Sequence, residues 1–193
     1  MTMTDVLINI SNRHIHLDEA DLKTLFGDSH SLTKIKDLIQ PGQFAAEETV
    51  DLVGSKGGIK GVRIIGPLRR QSQVEILVAD SFKLGVPVAL RDSGDLAGTP
   101  GIRLVGPKGE LELKEGCIVA ARHLHLHTSE AKELGYKDKD IISVAVDGER
   151  GVIFENVLVR VGDSYKHEMH IDVEEANAAQ LKNGALGRIV DIK

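Results

Sequence analysis

Short runs of β-branched residues, each closed by a glycine, proline, aspartate or asparagine turn, recur along the whole chain: VLINI, TVDLV, VRIIGP, QVEILVAD, VPVALRDSGD, IRLVGPKGELEL, CIVAARHLHL, IISVAV and VLVRVGD. A β-branched side chain is stiff at χ1 and packs well on a pleated surface, so these runs favour strands. Turn signals at roughly 8–12-residue spacing point to a barrel or sandwich rather than to alternating strand–helix units. The twenty glycines supply the turns. The spacing predicts a mainly β fold with short helices.

A chain of 193 residues with 41% hydrophobic content buries one large core or two small ones. Its 24 basic and 29 acidic residues are interspersed, with no basic stripe to track a nucleic-acid backbone. With 3% aromatic residues and no tryptophan, stacking platforms for bases or sugars are not expected either. Cys117 is the single cysteine, which excludes an internal disulfide and a cysteine-rich metal knuckle and suits a reducing compartment. The opening MTMTDVLINIS is too weakly apolar for a signal peptide, and no run approaches a membrane span, so the expectation is a cytoplasmic protein with no membrane partner.

The helical stretches share a grammar. Asp18 caps DEADLKTLF before Gly27, Thr128 or Ser129 caps SEAKEL before Gly135, and Asp172 with Glu175 opens VEEANAAQLKN before Gly184. Histidine in an extended segment precedes each: His14 and His16, then His123 and His125, then His170. This repeats a structural unit, and the echoes VRIIGP (62–67) and IRLVGP (102–107) suggest duplicated barrel units, with a boundary near residue 120.

Five of the eight histidines sit in two phrases, RHIHL and RHLHLH. In a strand, residues i and i+2 share a face roughly 6.5–7 Å apart at the backbone, so each His-x-His pair can converge on one ion. One such pair alone is as well explained by a solvated strand face; two, each flanked by arginine and each leading into a helix, favour metal. Catalytic zinc takes three protein ligands and keeps an open position, so each pair needs a third donor, for which His170 and Glu75 are the candidates. His127 shares the second pair's face as a ligand or a supporting group, His30 reads as solvated, and His167 reads as exposed.

Cationic residues near such sites ask for an anion. GPLRRQSQVE places Arg69 and Arg70 after a Gly-Pro turn, and RDSG adds Arg91 and Ser93. Arginine forks hold phosphate in bidentate fashion, although ordinary surface arginines explain Arg70 and Arg91 equally well. GSKGGIKG (54–61) lacks Walker spacing and reads as a hairpin with a basic rim. Cys117 lies in an apolar strand with nothing to activate it, and no nucleophile elbow occurs.

NRHIHL, GPxR followed by QVEI, SGDL with a later PG, GxIxAxRHLHL and EMHIDVEEANA appear in this order from about residue 6 to residue 180. Together they resemble the PduL-type phosphotransacylases, the phosphate propanoyltransferases of propanediol utilisation. The resemblance implies two associated β-barrel domains with capping helices, residues 1–12 with 121–193 in one and 13–120 in the other. It further implies two zinc ions between them, one on His14, His16 and Glu75, the other on His123, His125 and His170. Arg69 would hold inorganic phosphate, and coenzyme A would lie across the domain interface near Ser11, Lys36, Arg63 and Asn177.

The function so implied is reversible transfer of a propanoyl or acetyl group between coenzyme A and phosphate, by direct attack of phosphate on a zinc-bound acyl-CoA. Other divalent transition metals accept the same nitrogen and oxygen donors. Family members packaged in bacterial microcompartments often carry an extra N-terminal amphipathic segment; with about a dozen residues before His14, this copy looks more like a cytosolic form. Microcompartment and homo-oligomer association stay open. The alternatives are a zinc hydrolase of thioesters or phosphoesters and a non-catalytic protein whose metals only hold the barrels together.

Overall fold

The computed structural model describes residues 5–190 and divides the chain into two units, residues 5–12 with 121–190 and residues 13–120. In chain order the elements are β1 (Asp5–Ser11), β2 (His14–His16), α1 (Glu19–Phe26), β3 (Lys34–Asp37), β4 (Phe44–Val53), β5 (Gly58–Gly66), β6 (Gln73–Glu75), α2 (Val78–Leu84), β7 (Leu90–Arg91), β8 (Ile102–Val105), β9 (Glu110–Leu113), β10 (Cys117–Ala120), β11 (His123–Leu126), α3 (Thr128–Leu134), β12 (Ile141–Val146), β13 (Val152–Val161), β14 (Glu168–Asp172), α4 (Val173–Ala178) and β15 (Leu186–Val190). The fold is mainly β with short helices, and no helix among the described residues is long and apolar enough to cross a membrane.

In the first unit six strands close a barrel in the order β1-β14-β11-β13-β12-β15. Antiparallel pairing of Val6 with Gly187 and Leu7 with Leu186 makes the closure. Alternate residues fill the interior: Val6, Ile8, Leu124, Leu126, Val144, Val159, Met169 and Ile171 are all 2% exposed or less. Each such side chain contributes about 1.5–3 kcal/mol by burial. Strict alternation would send Phe154 and Val157 to opposite faces. A bulge opposite Ile142 and Val144, with Asn156 at φ 55, turns both inward.

The second unit is a curled nine-stranded sheet of order β7-β10-β6-β2-β5-β4-β8-β9, with β3 paired to β4. Ile15, Leu25, Leu52, Ile64, Val74, Leu84 and Leu104 form its dry centre. The glycine-rich stretch 54–57 is the turn of the β4–β5 hairpin, and it docks on the C-terminal end of α2. Lys56 donates its backbone N–H to Leu84 O at 3.1 Å, and Ser55 Oγ donates to Gly85 O at 2.9 Å. A Cβ on Gly54 would run into the Leu84 carbonyl, so close backbone approach is what requires glycine there.

The two units are wired alike around their His-x-His strands. In the first, β1 runs parallel to β14, β14 antiparallel to β11, and β11 parallel to β13. In the second, β10 runs parallel to β6, β6 antiparallel to β2, and β2 parallel to β5. The strand that leads into each His-x-His strand belongs to the opposite unit: β1 precedes β2 but pairs with β14, and β10 precedes β11 but pairs with β6. CIVAARHLHL, which reads as one run, is for this reason two strands in two units.

Several local expectations are corrected. VRIIGP and IRLVGP are not copies from duplicated units: β5 and β8 lie in one sheet, on either side of β4. QVEILVAD is strand only through Glu75; its apolar residues then turn helical in α2, which caps through Asp80 and stops at left-handed Gly85. The cap of α3 is His127, whose Nδ1 accepts the N–H of Ser129, rather than Thr128 or Ser129. Helix α4 ends at Ala178, with Ala179 as its C-terminal cap, well before Gly184.

Candidate functional site

Cross-strand register builds two clusters of donors. In the second unit His14 lies opposite Glu75 and His16 opposite Gln73 on the antiparallel β2–β6 pair. In the first unit His123 lies opposite His170 and His125 opposite Glu168 on β11–β14. The ligand atoms of His14, His16 and Glu75 all lie within 4.8 Å of one another, as do those of His123, His125 and His170.

In the first of these clusters His14 Nε2 is 3.4 Å from Glu75 Oε2, and His16 Nε2 is 3.9 Å from Glu75 Oε1. His16 Nδ1 sits 3.0 Å from the Ile65 carbonyl, which fixes the proton on Nδ1 and leaves the Nε2 lone pair facing the cluster. Burial, and after it the charges of His14 and Arg69, hold the His16 imidazole well below its ordinary pKa. For Glu75 burial acts to raise the pKa, but His14, His16 and the Ser93 hydroxyl outweigh it and keep the carboxyl well below the usual range. Neutral imidazole beside ionised carboxylate is the protonation state that a divalent ion requires.

The Glu75 carboxylate is steered by its neighbours. Oε1 accepts from Gln73 Nε2 at 2.5 Å and from Ser93 Oγ at 2.9 Å, leaving Oε2 toward His14. Ser93 Oγ also accepts from Gln73 Nε2 at 2.9 Å and from Arg69 Nη1 at 3.1 Å. Arg69 is fixed in turn by its backbone N–H to Leu17 O at 2.8 Å. A guanidinium thereby stands one hydroxyl away from the donor cluster.

In the second cluster the three imidazole centroids are 4.7–5.0 Å apart. His123 Nδ1 donates to Ala121 O at 2.8 Å, so Nε2 is the donor left for an ion. His170 Nε2 is 2.9 Å from Oε2 of the fully buried Glu168, which leaves Nδ1. Burial first, then the charges of His123, His170 and Arg160, push His125 down to about 2. His125 Nδ1 is buried without a hydrogen-bond partner. Leaving such an atom unsatisfied costs about 1–3 kcal/mol. The donor chemistry, five imidazoles and one carboxylate over the two clusters, fits zinc in both.

The remaining sequence candidates are placed as follows. Ser11, at the end of β1, donates to Ile171 O at 3.3 Å, and Asn177 is exposed on α4; both are in the first unit. Lys36 is exposed on β3, and Arg63 on β5 donates to Ala46 O at 2.6 Å; both are in the second. Arg70 is exposed, and Arg91 lies 3.9 Å from Asp95. His127 caps α3 outside the cluster. His167, expected exposed, is half-buried and lies 3.8 Å from Glu130, while His30 stacks on Phe26 and reaches Glu48 at 2.8 Å. Sequence reasoning missed Gln73 and Glu168. The parallel wording of QVE and EMH, polar residues flanking one apolar residue in strands that carry a third donor, is the signal that marks them.

A family model described as phosphate propanoyltransferase matches residues 7–182. The chain is 51% identical over 187 residues to a phosphate propanoyltransferase of Thermotoga maritima, covering 96% of this chain and 89% of the relative. A protein of the same name from Salmonella typhimurium is 50% identical over 192 residues, covering 98% and 91%. Another from Rhodopseudomonas palustris is 52% identical over 184 residues, covering 95% and 81%.

Proposed function

The chain belongs to the phosphate propanoyltransferase family and is an acyltransferase; from that premise we propose that it moves a propanoyl or acetyl group reversibly between coenzyme A and inorganic phosphate, with zinc on both donor clusters. The observation that carries this reading is the chain Arg69–Ser93–Glu75, which sets an anion-binding fork beside a donor cluster. Zinc there would supply Lewis acidity toward a thioester carbonyl and a leaving thiolate.

The residues have separable tasks. Arg69 binds and orients the phosphate so that an oxygen faces the acyl carbon, and its guanidinium is preorganised by Ser93 and by the backbone tie to Leu17. Gln73 and Ser93 hold Glu75 Oε1, so the carboxylate presents a single oxygen to the cluster. Lys36 and Arg63 supply positive charge for the phosphates of coenzyme A, and Ser11 and Asn177 supply polar contacts. No side chain forms an acyl intermediate: Cys117, the one thiol, is buried in β10, where desolvation and the Asp80 charge push it up to about 12. Phosphate is therefore the direct acyl acceptor, giving acyl phosphate and free coenzyme A. The reading places the reaction in the cytoplasm or a microcompartment.

The test is release of coenzyme A from propanoyl- and acetyl-CoA with phosphate present and absent, with metal analysis of the same sample. Release that requires phosphate and yields acyl phosphate is expected. Release at the same rate without phosphate would establish a hydrolase instead.

A further inference from the structure

The arginine of each RHxH phrase has a partner that the wiring makes equivalent. Arg13 Nε lies 2.7 Å from Asp80 Oδ2, and Arg122 Nη1 lies 2.9 Å from Glu175 Oε1. Asp80 and Glu175 stand at the third position of α2 and α4, the helices that follow the strands carrying Glu75 and His170. Each acid also holds the start of its helix: Asp80 Oδ2 accepts the N–H of Leu77 at 3.1 Å, and Glu175 Oε2 that of Asp172 at 3.0 Å. Leu77 and Asp172 each come two residues after the third donor.

We infer that Arg13 and Arg122 are positioning residues, each a clamp that holds a His-x-His strand in register with the strand bearing the third donor. The inference rests on the reading that the clusters hold zinc. Strands β2 and β6 have three residues each, too few for the ladder alone to pin the register. A slip of one residue would turn both histidines to the opposite face. One carboxylate that grips the residue before the first histidine and the helix cap beyond the third donor prevents that slip. Asp80 is buried, and the Arg122 guanidinium also lies 5.6 Å over the Phe154 ring, so these pairs are shielded as exposed ion pairs are not.

The two clamps differ wherever substrate contact would demand identity. One uses aspartate and the other glutamate; one serves a glutamate third donor, the other a histidine. One stands in an open sheet, the other in a closed barrel. Their shared element is the tie between donor strands, in which each flanking arginine meets a carboxylate of the protein itself.

The full-length protein is titrated with zinc against a chromophoric chelator in a His14→Ala, His16→Ala background, so that the zinc counted is that of His123, His125 and His170. Arg122→Ala is expected to weaken this zinc about 10–100-fold with far-ultraviolet circular dichroism as in the parent. Exchanging the charges, Arg122→Glu with Glu175→Arg, is expected to recover most of the loss. Arg122→Lys keeps the charge without the planar fork and serves where the alanine variant does not fold; weaker zinc on an intact fold supports the clamp. Either variant holding zinc as tightly as the parent overturns it. A parent that takes up no zinc overturns the metal reading and the clamp together, whereas zinc uptake indifferent to Arg122 overturns the clamp alone.

Discussion

His123 lies directly across the β11–β14 ladder from His170, as His14 lies across β2–β6 from Glu75. The third donor of each cluster is set by register rather than by nearness in sequence. Because directly opposed residues on one face of an antiparallel pair bring their Cβ atoms to about 4.5–5.5 Å, the geometry follows wherever the ladder is held in this register. The clusters therefore differ in composition while sharing one construction.

Neutral His125 has a measurable consequence in the metal-free protein. Its pKa is depressed to about 2, below the ordinary value of 6.5, by burial and by His123, His170 and Arg160. As pH falls below 6.5 the unfolded chain takes up a proton that the folded chain refuses, so stability is present above 6.5 and is lost on acidification. One such proton is worth about 1.4 kcal/mol per pH unit. Chelator-treated His125→Asn should show a shallower loss of thermal stability between pH 6.5 and 4 than the parent; equal slopes would refute the assignment.

Arg69→Ala removes a fork that Ser93 preorganises. The expected result is a fall of about 10²–10³-fold in turnover at fixed phosphate, a raised KM for phosphate, and zinc content as in the parent. Steady-state kinetics with phosphate varied, beside metal analysis, separate the effects. An unchanged phosphate KM would remove Arg69 from the anion site.

How far the sequence reveals these features depends on the range of the interactions. The alternation in VLVRV and the His-x-His spacing are local, and period-two geometry alone makes strands of the one and same-face donors of the other. Helix α2 hides because VADSFKL continues the apolar run of QVEI, and the helix depends on capping by Asp80 and on the seat it gives the 54–57 turn. Glu168 and Gln73 hide for another reason. The parallel wording of QVE and EMH marks the positions, but what the two side chains hold follows from laying β14 and β6 against the histidine strands, and no local pattern fixes that pairing. The exchange of β1 and β10 between units is equally nonlocal, since RHIHL and RHLHLH each follow their leading strand without a visible break.

Glu168 should tune the cluster that it does not directly complete. It is 0% exposed, and its Oε2 is 2.9 Å from His170 Nε2, the pairing that raises the basicity of a ligating imidazole. Glu168→Gln keeps an acceptor and removes the charge, so zinc affinity at His123, His125 and His170 should fall about 10-fold or more. The site of Gln73 in the other unit shows that an amide fits the equivalent position. Chelator competition measures the change, and affinity equal to the parent's would make Glu168 a matter of packing only.

Cys117 gives a test that needs neither metal nor substrate. It is 1% exposed in β10, and desolvation with the nearby Asp80 charge raises its pKa from 9.0 to about 12. A folded-state value above the unfolded one means that its contribution to stability is whole below pH 9 and is lost as pH rises toward 12. Since the thiolate is the reactive form, iodoacetamide at pH 8 should leave the native protein unlabelled and label it quickly in guanidinium. Stoichiometric labelling of the native protein within minutes would show an accessible thiolate, and with it a nucleophile that direct transfer to phosphate leaves no place for.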